Sequence, residues 1–122
     1  MTRDELIAQT RRLIDEGERI AASPSRPALN TWLAGSDALL SAAWGSMDRY
    51  HLAWLEVGRI AQPLRGRQLD AAEEAGEVRA VVAAKGAVLR AALDAVERLG
   101  MPFLGESRPR AAAEKAGLPD HL

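Results

Sequence analysis

The sequence predicts an all-α protein: an antiparallel four-helix bundle followed by a short, partly ordered C-terminal helical segment. Three observations carry that expectation. Apolar residues recur three or four apart through four successive stretches, the spacing of a single buried helix face. Clusters of helix breakers separate the stretches, notably Ser23-Pro24-Ser25-Arg26-Pro27, Gly45, and the connection from Gln62 to Leu69. No segment alternates apolar and polar residues in the manner of a half-buried strand. Amphipathic helices joined by short links pack as an antiparallel bundle, expected here over residues 1–104, with 105–122 as a tail.

The first helix is expected to open at Thr2. Glu5 follows three residues later, the spacing of a capping box, in which hydroxyl and carboxylate each accept an orphan N–H. Leu6, Thr10, Leu13, Ile14, Gly17, Ile20 and Ala21 then form one stripe, and Arg3, Glu5, Arg12, Asp15, Glu16 and Arg19 lie mostly off it. The breakers from Ser23 stop it near Ala22.

Ser25 is placed to cap the second helix, with Pro27 tolerated in its first turn. Leu29, Trp32, Leu33, Ser36, Leu40, Ala43 and Trp44 make its stripe, and Gly45 suits the position just past its end. The third helix is expected from about Met47 to Ala61, capped by Ser46 or Asp48. Met47, Tyr50, Trp54, Val57 and Ala61 define its face and Leu52 and Leu55 widen it, a pattern that fits a central helix touching more than one neighbour. Pro63 is expected to end it.

Asp70 and Glu73 repeat the capping-box spacing at the start of the fourth and longest helix, which is expected to end near Leu99 with Gly100 beyond it. Val78, Val81, Val82, Lys85, Leu89, Ala92, Leu93, Val96 and Leu99 carry its stripe. Gly76 is a candidate break, leaving 70–75 as a separate turn. Gly86, among Ala83, Ala84 and Ala87, is a candidate for close approach of another helix. Met101-Pro102-Phe103-Leu104-Gly105 reads as an apolar strap folding back on the bundle end, and a marginal helix is expected from Arg108 to Ala116.

Composition narrows the function classes. The 122 residues hold 48% hydrophobic and 27% charged residues, enough for one packed domain. Aromatics are only 4% and much of the apolar content is Ala, so the core is thin in volume, which argues for a homodimer. The formal charge of −1 provides no domain-wide basic excess for nucleic acid. Without cysteine there is no disulfide, thiolate metal site or Cys nucleophile. The first residues lack the apolar run of a signal peptide and no stretch approaches a membrane span, so the expected setting is cytoplasmic. The richness in Ala, Arg and Gly suits a bacterium with a GC-rich genome.

The stretch Asp48-Arg49-Tyr50-His51-Leu52-Ala53-Trp54-Leu55-Glu56 is the densest in chemistry. Asp48 and His51 share a helical face and resemble half of the carboxylate–His spacing of metal-binding bundles. Such sites need further carboxylates from facing helices, and the stripes carry Leu, Ile, Trp, Val and Ala instead. Asp48 as a cap and His51 as a half-buried or surface residue is the preferred reading, so no metal, cofactor or catalytic residue is assigned. Neither a Gly-x-Ser-x-Gly turn nor a glycine-rich phosphate loop is present. Trp32, Trp44 and Trp54, with Tyr50, are read as core or interface anchors. Trp32 and Trp44 lie about three turns apart on one face. Arg59, Arg65 and Arg67 form a local basic cluster, read as a solvated loop, with nucleic-acid or phosphate binding as the alternative.

Leu13-Ile14-Asp15-Glu16-Gly17-Glu18-Arg19-Ile20, the stretch from Thr31 to Gly45, a Tyr-containing helix, and the stretch from Lys85 to Glu97 together resemble a helical accessory domain. It is the N-terminal bundle that precedes nucleotide-sensing or TIR-type effector domains in bacterial proteins. The likeness spans residues 6 to 99, and no effector domain follows Leu104 within these residues. The resemblance therefore implies association or regulation, through self-association or a protein partner, and carries over no catalytic residue.

Overall fold

A computed structural model of the chain describes residues 1–58 and 69–107. Four helices account for 76% of those residues, and none of them lies in a strand. They are α1 (Arg3–Ala22), α2 (Arg26–Trp44), α3 (Arg49–Glu56) and α4 (Ala71–Glu97).

The first boundaries follow from local chemistry. Thr2 caps α1 with the full capping box: its hydroxyl accepts the Glu5 N–H and the Glu5 carboxylate accepts the Thr2 N–H. Ser25 caps α2, its hydroxyl accepting the Ala28 N–H at 3.4 Å. Asp70 caps α4 by accepting the Glu73 N–H at 2.8 Å. That bond holds the Asp70 carboxyl below its ordinary range. A depressed folded-state value stabilises the fold above the ordinary carboxylate range, and this contribution disappears as pH falls through the lowered value. Asp70→Asn keeps a cap but does not titrate. The variant is therefore expected to lose less stability than the parent chain between pH 6 and pH 2 (about the span of carboxylate titration), as measured by urea denaturation.

Helix α1 packs most extensively on α4. The Arg3 guanidinium reaches the Val96 carbonyl, Glu18 pairs with Arg90, and the Ala21 carbonyl accepts from Arg79. Numbers rise along α1 as they fall along α4, so the two run in opposite directions. Helix α2 runs with α4: Arg26 at its start bridges Glu74 and Glu77, and the Ala43 carbonyl near its end accepts the Leu104 N–H beyond α4. Between them lies one core built on Leu6, Leu29, Trp32, Leu40, Val78, Val82, Leu89 and Val96.

The glycine that lets another helix come close is Gly17, not Gly86. A Cβ on Gly17 would stand 3.2 Å from the Trp32 ring and 3.3 Å from Val82, whereas one on Gly86 would meet only the Arg90 guanidinium at 3.5 Å. Gly76 does not break α4 either: the helix is continuous through it, and nothing lies within 4 Å of a Cβ placed there. Gly76→Ala is thus expected to raise the unfolding free energy by about 0.5–1 kcal/mol, through helix propensity alone. A lowered urea midpoint would contradict this.

Helix α3 is shorter than the periodicity implies. Met47 adopts φ 63°, so the chain becomes helical only at Arg49; at the other end the extended Val57 stops the helix, and Gly58 at φ 61° follows it. Gly58 has no room for a side chain, since a Cβ would stand 3.2 Å from both Ala84 and the Val81 carbonyl. Of the expected face, Trp54 is buried and Tyr50 half-buried, whereas Met47 is exposed, and His51, outside that face, is buried as well. The expected ending at Pro63 falls outside the described residues, as does the helix expected from Arg108.

The strap after α4 folds back as expected, and the ordered body extends past Leu104. Phe103 is buried, the Ser107 N–H donates to the Met1 carbonyl at 2.9 Å, and Glu106 forms a bidentate pair with Arg3.

Candidate functional site

The corner where α2 gives way to α3 gathers most of the residues singled out in the sequence. Trp44 ends α2, and its ring meets Tyr50 edge-on at 4.8 Å. Trp44 and Trp54 are buried and Tyr50 half-buried, all within a single chain. Trp32 lies away from this corner, 1% exposed, its Nε1–H donating to the Leu13 carbonyl at 2.7 Å. Trp54 is the contact between α3 and α4. The buried Lys85 ammonium sits 4.1 Å from its ring centre and donates to its backbone carbonyl. That carbonyl belongs to the last turn of α3, so the cation also complements the negative end of the helix.

Asp48 and His51 do not act together. The Asp48 carboxylate accepts the Arg49 N–H at 2.9 Å as the cap of α3. His51 is buried, where the sequence suggests a half-buried or surface position. Its Nδ1 accepts the Met47 N–H at 2.7 Å, and its Nε2 pairs with Asp37 on α2. Because Nδ1 accepts, the ring proton is on Nε2 and is directed at the Asp37 carboxylate. Both nitrogens are thereby engaged, and His51 fastens the turn into α3 against α2.

This pairing was not read from the sequence because Asp37 lies fourteen positions away. The visible signal is a lone exposed-type acid beside the buried stripe of α2, one residue after Ser36. Ser36 is fully buried and its hydroxyl has no hydrogen-bond partner, as is also true of the Trp54 indole N–H. Arg59, Arg65 and Arg67 lie outside the described residues. Among the described residues no helix is long and apolar enough to cross a membrane.

Among the described residues, the large apolar side chains that remain exposed are Met47, Leu99 and Leu104, at 60%, 63% and 58%. They belong to one end of the molecule. Leu104 is bonded through its N–H to the Ala43 carbonyl and would touch a Cβ on Gly45. Met47 follows Gly45 by two positions, and Leu99 lies just past the end of α4, before the strap. Beside them is a groove of about 280 Å³ lined by Ala43, Trp44, Asp48, Arg49, Phe103 and Leu104.

No family model matches the chain, and neither does any curated protein or solved structure.

Proposed function

We propose that the chain is a non-enzymatic association module: an antiparallel four-helix bundle of a bacterial cytoplasm that binds a protein partner or a second copy of itself. The observation that carries this reading is the contrast at the α2–α3 corner. The polar groups suited to chemistry there serve the fold, with His51 committed to Met47 and Asp37 and Asp48 to the helix cap. Met47 and Leu104 beside them are left exposed, and exposed apolar clusters on small domains mark interaction surfaces. The resemblance to accessory bundles of TIR-type effectors supports association or regulation in the same way. No metal, cofactor or nucleic acid enters this reading.

The test is the mass of the native protein by light scattering, with metal content read on the same sample. A metal-free species heavier than the 13.1 kDa chain, or a metal-free chain that forms a defined complex with one protein, is the expected result. A monomer carrying stoichiometric metal that is lost in His51→Ala would overturn it.

A further inference from the structure

We infer that the partner seated on this corner is a second copy of the same chain, docked knob into groove around Met47. The inference rests on the association reading above and names its partner.

Met47 is the only non-glycine residue with positive φ among the described residues. That conformation disfavours a long side chain, yet it is held in place by the Met47 N–H bond to the buried His51 ring. An unfavourable conformation secured by a buried side chain often marks a functional position. Its effect here is to project an unbranched apolar side chain into solvent. Methionine adapts its shape to an apolar hollow better than a branched residue does.

The hollow lies next to the knob. Trp44, Phe103 and Leu104 supply its apolar walls, and Asp48 and Arg49 stand on its rim. A two-fold axis near the corner brings each Met47 toward the groove of the other copy. Such an interface is self-complementary, because every residue meets its counterpart's surroundings twice. The rim fits that symmetry: adjacent opposite charges let Asp48 of one copy face Arg49 of the second and the reverse. An asymmetric partner of single charge meets one of the two unfavourably.

Sedimentation equilibrium of three proteins tests the inference: the parent chain, Met47→Gly and Leu104→Ser. Glycine accepts the positive φ, and both side chains are exposed, so folding is expected to be preserved, checked by circular dichroism and urea denaturation. The parent is expected to be a dimer, with dissociation constants at least about tenfold higher in both variants, the loss typical of a central interface side chain. Arg12→Ala, on the exposed face of α1, is expected to dimerise as the parent does and to keep its stability within about 0.5 kcal/mol. A monomeric parent would overturn the second-copy inference while leaving a protein partner to carry the association reading. A dimer unaffected by either variant would move the interface elsewhere and overturn the inference alone.

Discussion

Trp32→Ala is expected to lower the unfolding free energy by about 3–5 kcal/mol, the cost of emptying a large aromatic site in a packed core. The expectation follows from where α1 and α2 meet. A Cβ on Gly17 would meet the Trp32 ring first, at 3.2 Å, and the Trp32 Nε1–H donates to the Leu13 carbonyl one turn earlier. An alanine would leave a void bounded by two helices that cannot close on it, because Gly17 has no side chain to advance. Against a typical total of about 5–15 kcal/mol, the loss is a large fraction. Urea denaturation measures it as a shifted midpoint with unchanged slope. Trp32→Phe separates the contributions, keeping most of the apolar area while losing the hydrogen bond, and is expected to cost clearly less. If the alanine variant falls within about 1 kcal/mol of the parent, Trp32 does not carry the α1–α2 contact.

Arg3→Met is expected to cost about 2–3 kcal/mol, in the range of charge-assisted hydrogen bonds. Methionine preserves much of the apolar stem, so the change isolates the guanidinium. That group ties three pieces of chain together: the end of α4 through the Val96 carbonyl at 2.9 Å, the strap through the Met101 carbonyl at 3.3 Å, and Glu106 through both carboxylate oxygens. It also lies 5.8 Å from the centre of the Phe103 ring. About a third of the side chain is exposed, so water screens the ion pair and the two carbonyl bonds carry more of the effect. Glu106→Gln is accordingly expected to cost less than Arg3→Met. Hydrogen exchange at the Leu104 amide, which donates to the Ala43 carbonyl at 2.8 Å, is the sharpest readout. Its protection is expected to fall further than that of the α1 core. Unchanged protection would show that the strap holds without Arg3.

These effects show which parts of the molecule were legible in advance. Helix α1 was readable to its ends because every cue is local: the Thr2–Glu5 box, the apolar stripe and the breakers from Ser23. Lys85 was also placed correctly on the buried stripe of α4, since periodicity is indifferent to charge. Helix α3 was overextended because its limits are set by two backbone conformations. Nothing in the identity of Met47 announces a positive φ, and Gly58 is required by the neighbouring Val81 and Ala84. The same reason hid the Gly17 contact, which depends on Trp32 of another helix. Asp48 was legible as the cap of α3, but the burial of His51 was not, because its partners are a backbone N–H in the preceding turn and Asp37 across the corner. The tryptophans were read as core or interface anchors, and all three are buried within one chain. Among the described residues, the large exposed apolar side chains are Met47, Leu99 and Leu104, which look unremarkable in a sequence rich in such residues.

The central claim is that the α2–α3 corner is an interface built from a raised Met47 and the groove beside Leu104. The most direct measurement exploits the absence of cysteine from the chain. Single-cysteine variants Met47→Cys and Leu104→Cys, mixed and mildly oxidised, are predicted to form the mixed disulfide-linked dimer well above the level given by an Arg12→Cys control. Crosslinking no greater than that control, in protein that remains folded, would contradict the claim.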